Sequence, residues 1–514
     1  MKRSDLTFLL LSLLISSIGI LALLRPGFFL TDDGNSMVIR FSAFYEALRS
    51  GQFPVRFLSR LNFGYGYPVA DFLYPLFMYI GVPIKALGFS FVDTVKIIFG
   101  LSFISGTVFS FLWLRKLFDD KSALIGSIIY SLFPYHLYVI YVRGSVGEVL
   151  SLGVLPFILW QIERRNLVWG SIGIFLLILS HNTLGVLFLI FILFYGLLDI
   201  YAIRSKKELF SYYAKTILIG LGLSSFFSIP AISDLQYTVF SKTSVSDWSK
   251  YFVGFNLIGF STVVVFLTIF TFILIKKIEL KKHRLTLLMI GVGLVSIFLA
   301  SSLSSPLWGL LPVSFIQFPF RFLSLTIVTT AFLAASVVSV LKGKNRLALI
   351  ISLLILTFLS SKNFLTPSVF QNYPDSFYST NQDSTTVRNE YMPKWIKEPI
   401  REMAPSKVEN LSGREKINIR KITASKINFD TLLSEDRTIR VNIVYFPGWN
   451  AYVNGNKSNI IHDDGFINLH LNKGENKVLV KFEETSIRLM ADLISILSLF
   501  ILIGLSLKKN LKFL

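Results

Sequence analysis

No cysteine occurs anywhere in the chain, so disulfides, thiolate metal sites and a cysteine nucleophile are excluded. Acidic residues are scarce, with 31 Asp and Glu against 51 Lys and Arg and a formal net charge of +20. Histidine is scarcer still. His136, His181, His283, His462 and His470 are the whole set, and their spacing supplies no three-histidine zinc site. Neither a low-complexity tract nor an internal repeat of convincing period is present. What the chain has instead is apolar bulk: 53% hydrophobic residues, 49 Phe and a mean hydropathy of +0.61. That is too apolar for a soluble globular protein and predicts a polytopic membrane protein. Most of the basic residues fall in short loops between apolar runs, so the charge reads as membrane orientation and not as a nucleic-acid footprint.

Apolar runs of bilayer length predict about twelve transmembrane helices, at 6–24, 92–114, 122–141, 149–163, 168–182, 184–201, 214–231, 252–275, 285–303, 322–341, 346–361 and 489–507. The first follows Met1-Lys2-Arg3, has no small-residue cleavage site, and reads as a retained anchor. Residues 72–87 are apolar but carry Pro75, Gly81, Pro83 and Lys85, which predicts a re-entrant or interfacial helix. With that segment not crossing, the loops alternate. One set holds Arg115, Lys116 and Lys121, then Arg164 and Arg165, Arg204 with Lys206 and Lys207, Lys276 to Arg284, Lys342 to Arg346, and Lys508, Lys509 and Lys512; the other is nearly free of basic residues beyond the first loop. The positive-inside rule places the rich set and both termini in the cytoplasm of a plasma-membrane protein.

The polar residues that interrupt the apolar pattern then share the outer side. Asp32 and Asp33 follow the first span; Arg143 and Glu148 flank a glycine-bearing turn; His181 and Asn182, Asp234, and Gln317 with Arg321 lie at span ends. Ionisable groups at membrane depth are costly and face bundle interiors or wet cavities, so one outward-opening site is expected. Asp32 and Asp33 are candidates for a general base or for ligands of a divalent cation such as Mg or Mn, no other cofactor being implied. A solvated cap after a helix is the plainer alternative. Arg143 offers a planar fork that fits a phosphate, and Gly144 and Gly147 would let a lipid-linked phosphate approach the backbone; the alternative is an Arg143–Glu148 pair pinning the loop. Tyr67, in the turn Asn62 to Pro68, is a candidate for stacking on a sugar ring.

The divisions expected are a multi-span module over 1–361 with a large first outer loop (25–91), an extracytoplasmic insert over 362–488, and a final span with a basic tail over 489–514. In the insert, Gln371 to Leu411 is irregular. Beyond it, alternating segments such as RTIRVNIVYF and KVLVKFEE, with turns at Pro447-Gly448, Asn454-Gly455 and Lys473-Gly474, predict an antiparallel β domain.

The acidic pair after the first span, the Gly64 to Pro68 segment, Arg143-Gly144 with Glu148, His181-Asn182, Gln317-Phe318-Pro319-Phe320-Arg321 and Glu390-Tyr391-Met392-Pro393 together resemble the membrane proteins labelled 6-pyruvoyl-tetrahydropterin-synthase-related. A first span followed by a large acidic outer loop is also similar to the C-class glycosyltransferases, which take sugars from polyprenyl phosphates. The resemblance implies a helical membrane fold and transfer of a hexose or pentose from a polyprenyl-phosphate donor to a glycan, lipid or protein acceptor. Asp33 or Asp32 would be the catalytic acid residue, and Arg143, Glu148, His181, Asn182, Gln317, Arg321 and Tyr67 would bind substrate. A transporter or flippase of lipid-linked saccharides and a non-catalytic envelope scaffold are the alternatives.

Overall fold

The computed structural model describes residues 3–202, 206–242, 247–278, 284–310, 316–386, 389–411, 413 and 415–511. Of the residues used above, Met1, Lys2, Arg204, Lys281, Lys282, His283 and Lys512 lie outside the described set. The segments expected to cross are mainly helical. Among the described residues eight helices are long and apolar enough to span a bilayer, or up to ten if two bent pairs each count as one span. Those pairs are Lys206–Leu223 with Ser225–Tyr237, bent by 70°, and Arg284–Ala300 with Ser302–Trp308, bent by 81°. By length and composition the described residues thus give eight to ten of the twelve spans expected. Leu167–Ser180 and Phe260–Leu274 have only 14 and 15 residues, about 21–23 Å of helix against a hydrocarbon core of about 30 Å. Leu76–Ala86, inside the segment expected not to cross, has 11 residues with Pro83 within it.

Phe91–Leu117 packs along Val146–Glu163 and Asp120–Ser131, which in turn meets Leu323–Val340. Apolar burial cannot separate helix contact from lipid contact, so small polar groups tie the helices together. Ser12 and Ser127 hydroxyls lie 2.7 Å apart, as do those of Thr107 and Ser131.

All described strands pair antiparallel. Strand β1 (Phe28–Phe29) pairs with β2 (Phe370–Gln371), joining the first loop to the chain beyond the helix Gly343–Ser361. A three-stranded sheet has the order β3 (Val408–Asn410), β6 (Arg437–Val444), β9 (Phe466–Leu471), and a five-stranded sheet the order β4 (Ile417–Thr423), β5 (Lys426–Leu433), β10 (Gly474–Phe482), β7 (Trp449–Val453), β8 (Asn456–Ser458). The two-residue turn between β7 and β8 puts Asn454 at φ 51° and Gly455 at φ 87°, the left-handed pair that a tight hairpin requires.

The first loop is seated on these strands. Phe57 packs edge-on to Trp449 at 5.4 Å, and Val444 N donates to Tyr65 O at 2.9 Å. Beneath lies a buried ionic network. Arg56 reaches Glu484 (2.8 Å), Asp71 (3.2 Å) and Asp492 (3.4 Å), while the fully buried Arg488 reaches Asp234 (2.8 Å) and Asp71 (3.6 Å). Asp234 thus belongs here, away from the other interrupting polar residues. The expectation that all of them meet at one site fails for it because its partner, Arg488, is distant in sequence and pairs with it first.

Candidate active site

Four segments build the site. After the helix Asp120–Ser131 the chain makes a short helix Pro134–Tyr138 and then a single π-helical turn, Val139–Arg143. Such a turn is common where a side chain must be re-aimed for function, and here it delivers Arg143. The guanidinium is held by both adjacent carboxylates: Nη1 donates to Asp32 Oδ2 at 2.9 Å and Nη2 to Asp33 Oδ2 at 3.0 Å. Backbone bonds lock the same register, Asp32 N to Val142 O at 3.1 Å and Asp33 N to Arg143 O at 2.9 Å. Asp33 occupies the cap position of the helix Gly34–Arg49, yet its side chain makes no capping bond. The carboxylate goes to arginine instead. Thr31 supplies the cap bond, accepting from Gly34 N at 3.0 Å.

The burial is asymmetric. The Arg143 side chain is 9% exposed, whereas those of Asp32 and Asp33 are 54% and 35% exposed. The charged pair therefore presents its carboxylates outward with the cation behind them.

Behind Arg143 stands a second cation. Arg321 Nε donates to the wholly buried Glu148 Oε1 at 3.0 Å, and its Nη1 to Gln317 Oε1 and Ile316 O, each at 2.9 Å. Glu148 Oε2 accepts from Tyr135 OH at 3.1 Å. The loop-pinning alternative for Arg143 and Glu148 does not occur, because Glu148 is satisfied by Arg321. The Gln317 to Arg321 phrase gains a physical reading. Phe318 and Phe320 stack at 5.1 Å, Arg143 lies 5.1 and 5.2 Å from their ring centres, and Arg321 lies 4.9 Å from that of Phe318. Two like charges thus share an aromatic wall that attracts both. Gln317 holds φ 64°, a left-handed conformation costly for a side-chain-bearing residue, and its bond to Arg321 maintains it.

His181 closes the group. Its Nδ1 accepts from Leu184 N at 3.2 Å, leaving Nε2 as the N–H of the neutral ring, directed at Glu148 Oε1 3.9 Å away. Tyr74 stacks on the imidazole at 4.8 Å. Asn182 is spent on structure, donating to Phe72 O at 2.8 Å.

Two expectations are corrected. The glycines of the Arg143 turn do not open the backbone to a phosphate: a Cβ on Gly144, at φ +66°, would lie 2.2 Å from Thr31 Oγ1, and one on Gly147 would lie 2.2 Å from the Tyr74 ring. They admit the chain's own first loop. Tyr67 offers no face to a sugar. It is fully buried, with its hydroxyl 3.0 Å from Thr386 Oγ1 and accepting from Tyr391 N at 3.1 Å; burial pushes its ionisation above the ordinary phenol range. Sequence reasoning also missed Tyr135, whose aromatic character is lost among 20 Tyr, and gave Phe318 no role beyond its place in the motif.

Among the described residues no group of three or more His, Cys, Asp and Glu is placed to hold a metal ion. Asp32 and Asp33 are the acidic pair of the site, and both carboxylates are engaged by Arg143.

With this geometry in place, the comparisons fall into line. A model of the 6-pyruvoyl-tetrahydropterin synthase related domain, a membrane-protein family, matches residues 71–366. The chain belongs to that family. An uncharacterised protein of Lactococcus lactis subsp. cremoris is 25% identical over 278 residues, 50% of this chain and 44% of that one. Among solved structures, the apo oligosaccharyltransferase of Archaeoglobus fulgidus matches with a TM-score of 0.51 at 14% identity, over 79% of this chain and 62% of that one. The mycobacterial arabinofuranosyltransferase AftD matches at 0.44 and 14% identity, over 73% and 28%, below the level that supports an argument. The chain thus spans less than two thirds of these relatives, and it shares its fold with the archaeal enzyme.

Proposed function

We propose that this protein is a membrane glycosyltransferase that moves a hexose or pentose from a polyprenyl phosphate to a hydroxyl of a glycan, lipid or protein acceptor at the outer membrane face. The observation that carries the reading is the paired carboxylate of Asp32 and Asp33, exposed in front of two buried arginines, on a scaffold shared with an oligosaccharyltransferase. The topology goes with it: residues 25–91 and 362–488 outside, both termini in the cytoplasm of the plasma membrane.

The chemistry follows from charge placement. Asp33, or Asp32, takes the proton of the acceptor hydroxyl; that oxygen bonds to the anomeric carbon, and the bond from this carbon to the phosphate breaks with its electron pair leaving on the lipid phosphate. Arg143 and Arg321 face that growing charge, an electrostatic contribution that costs no reorganisation at the moment of reaction. Arg143 Nε is buried without a hydrogen-bond partner, a donor left over for a phosphate oxygen. Glu148 and His181 keep Arg321 oriented.

Charge balance argues for a cation as cofactor. Asp32, Asp33 and Glu148 oppose Arg143 and Arg321, a formal −1, which repels a phosphate. A Mg or Mn ion held by Asp32 and Asp33 would supply the two positive charges that turn this site attractive to the donor. The test is transfer of radiolabelled sugar from a panel of polyprenyl-phosphate sugars by membranes carrying the protein, with and without EDTA. Transfer that EDTA abolishes and Mg restores supports both the reading and the cation. Transfer indifferent to EDTA removes the cation, and no transfer from any donor turns the weight to a transporter or scaffold.

A further inference from the structure

A strap of residues 389–392 lies against the first loop beside the candidate site and contains a carboxylate that the mechanism above does not use. Glu390 is half-buried as a residue, but its Oε2 is wholly buried and has no hydrogen-bond partner. The residues that follow it are held in place. The ring of the next residue, Tyr391, lies between two others, stacked 5.0 Å from Phe72 at 6° and 5.6 Å from Phe240 at 12°. Its backbone N–H is held by the Tyr67 hydroxyl, and Val239 N donates to Met392 O at 3.0 Å. Thr385 and Asn389 both sit at positive φ, 64° and 50°, a strained conformation for a β-branched residue. Arg40 restrains the first, donating from Nε to Thr385 Oγ1 at 2.9 Å.

The strap is joined to the site through Phe72. The ring of Phe72 stacks on Tyr391, its carbonyl accepts from Asn182, the neighbour of His181, and Tyr74 two residues on stacks on His181 itself. A desolvated carboxylate oxygen without a donor is expensive, and although other buried polar atoms among the described residues also lack a partner, one beside a candidate site is a natural place for a ligand's donor. Its natural complement is a hydroxyl donor, and the lipid-linked transfer reading brings a ring bearing several.

We infer that Glu390 is a saccharide-binding residue of the candidate site, its orphaned Oε2 accepting a hydrogen bond from a sugar hydroxyl of either the donor or the acceptor. This rests on the glycosyltransferase reading for the identity of the ligand and on the orphaned oxygen for the site. Tyr391, clamped on both faces, is the positioning residue that aims it.

Two measurements test it on the full-length protein in detergent. In the first, thermal unfolding of wild type and Glu390→Gln is followed with and without a panel of soluble methyl hexosides and pentosides. The expected result is a higher midpoint for Glu390→Gln alone, and a saccharide-induced rise in wild type that the variant lacks. A midpoint lowered or unchanged by the substitution, or an equal saccharide response in the two proteins, including no response in either, overturns the inference. The second measures transfer of radiolabelled sugar. KM for the polyprenyl-phosphate donor rising roughly ten-fold in Glu390→Gln assigns the hydroxyl to the donor, and the same rise for the acceptor assigns it there. Transfer by the variant matching wild type in kcat and both KM values overturns the role of Glu390 while leaving the transferase standing. No transfer by wild type, alongside a saccharide shift that depends on Glu390, leaves the sugar site and removes the transferase.

Discussion

Arg488→Met is the substitution whose cost the structure defines best. Arg488 has no exposed surface; Nε donates to Asp234 Oδ2 at 2.8 Å, while Nη2 lies 2.8 Å from the same oxygen and 3.6 Å from Asp71 Oδ2 as an ion-pair neighbour. Its guanidinium packs 5.4 and 5.2 Å from the rings of Phe446 and Phe482. Methionine keeps much of that packing and removes the charge. Asp234 is then left with the Ser233 hydroxyl, 3.3 Å away, and Asp71 with Arg56. Breaking a buried pair from one side costs about 3–5 kcal/mol because the surviving charge stays desolvated. Adding Asp234→Asn removes that survivor, so the double variant should recover part of the loss, with a coupling energy of about 1–3 kcal/mol. Burial raises the Asp71 carboxyl above the ordinary range, against the pull of Arg488 and Arg56. With Arg488 gone, protonation relieves the site, and the loss should shrink as pH is lowered. Unfolding midpoints of the purified single and double variants in detergent, followed by circular dichroism, measure all of this. A single variant as stable as wild type, or strictly additive single and double effects, would refute the reasoning.

Other predictions concern pH and the seat of the carboxylates. The Lys407 ammonium donates to Gly64 O, and burial pushes it down to about 8. An unfolded lysine holds its proton to about 10.4, so between these values the unfolded chain binds more protons and stability rises with pH. Lys407→Met should flatten that rise in unfolding midpoints measured from about pH 8 to about pH 10. Gly144→Ala forces a left-handed alanine, at about 1–2 kcal/mol, and drives its Cβ to 2.9 Å from Gly34 N. It should displace Asp32 and Asp33 and lower sugar transfer far more than it lowers the unfolding midpoint; equal losses in both would contradict the seating role.

How far the sequence discloses this arrangement depends on what each residue interrupts. Asp32, Asp33, Arg143, Glu148, His181 and Arg321 stand out because each breaks an apolar run, and the structure brings them together. Tyr67 shows the limit of that approach: an aromatic beside glycines looks like a sugar platform, whereas its hydroxyl is consumed by Thr386 and the strap. Arg56, Asp71 and Arg488 look like ordinary loop or helix-end charges. Their network is invisible because Arg56 meets Glu484 across 428 residues of chain, and no periodicity encodes such a contact. The same holds for Glu390, whose importance rests on a bond it does not make. Leu167–Ser180 and Phe260–Leu274 read as spans because apolar composition continues through them, whereas their helices have 14 and 15 residues, fewer than the roughly 20 of a full crossing.

The central claim is that an exposed carboxylate backed by buried arginines activates an acceptor for attack on a lipid-linked sugar. The most direct measurement is the steady-state kinetics of Asp33→Asn in membranes matched for expression, with the donor varied at saturating acceptor. Loss of the base should lower kcat by roughly 100-fold or more, and loss of a ligand of the proposed cation should raise KM for the donor. An unchanged kcat in both Asp33→Asn and Asp32→Asn would contradict the account.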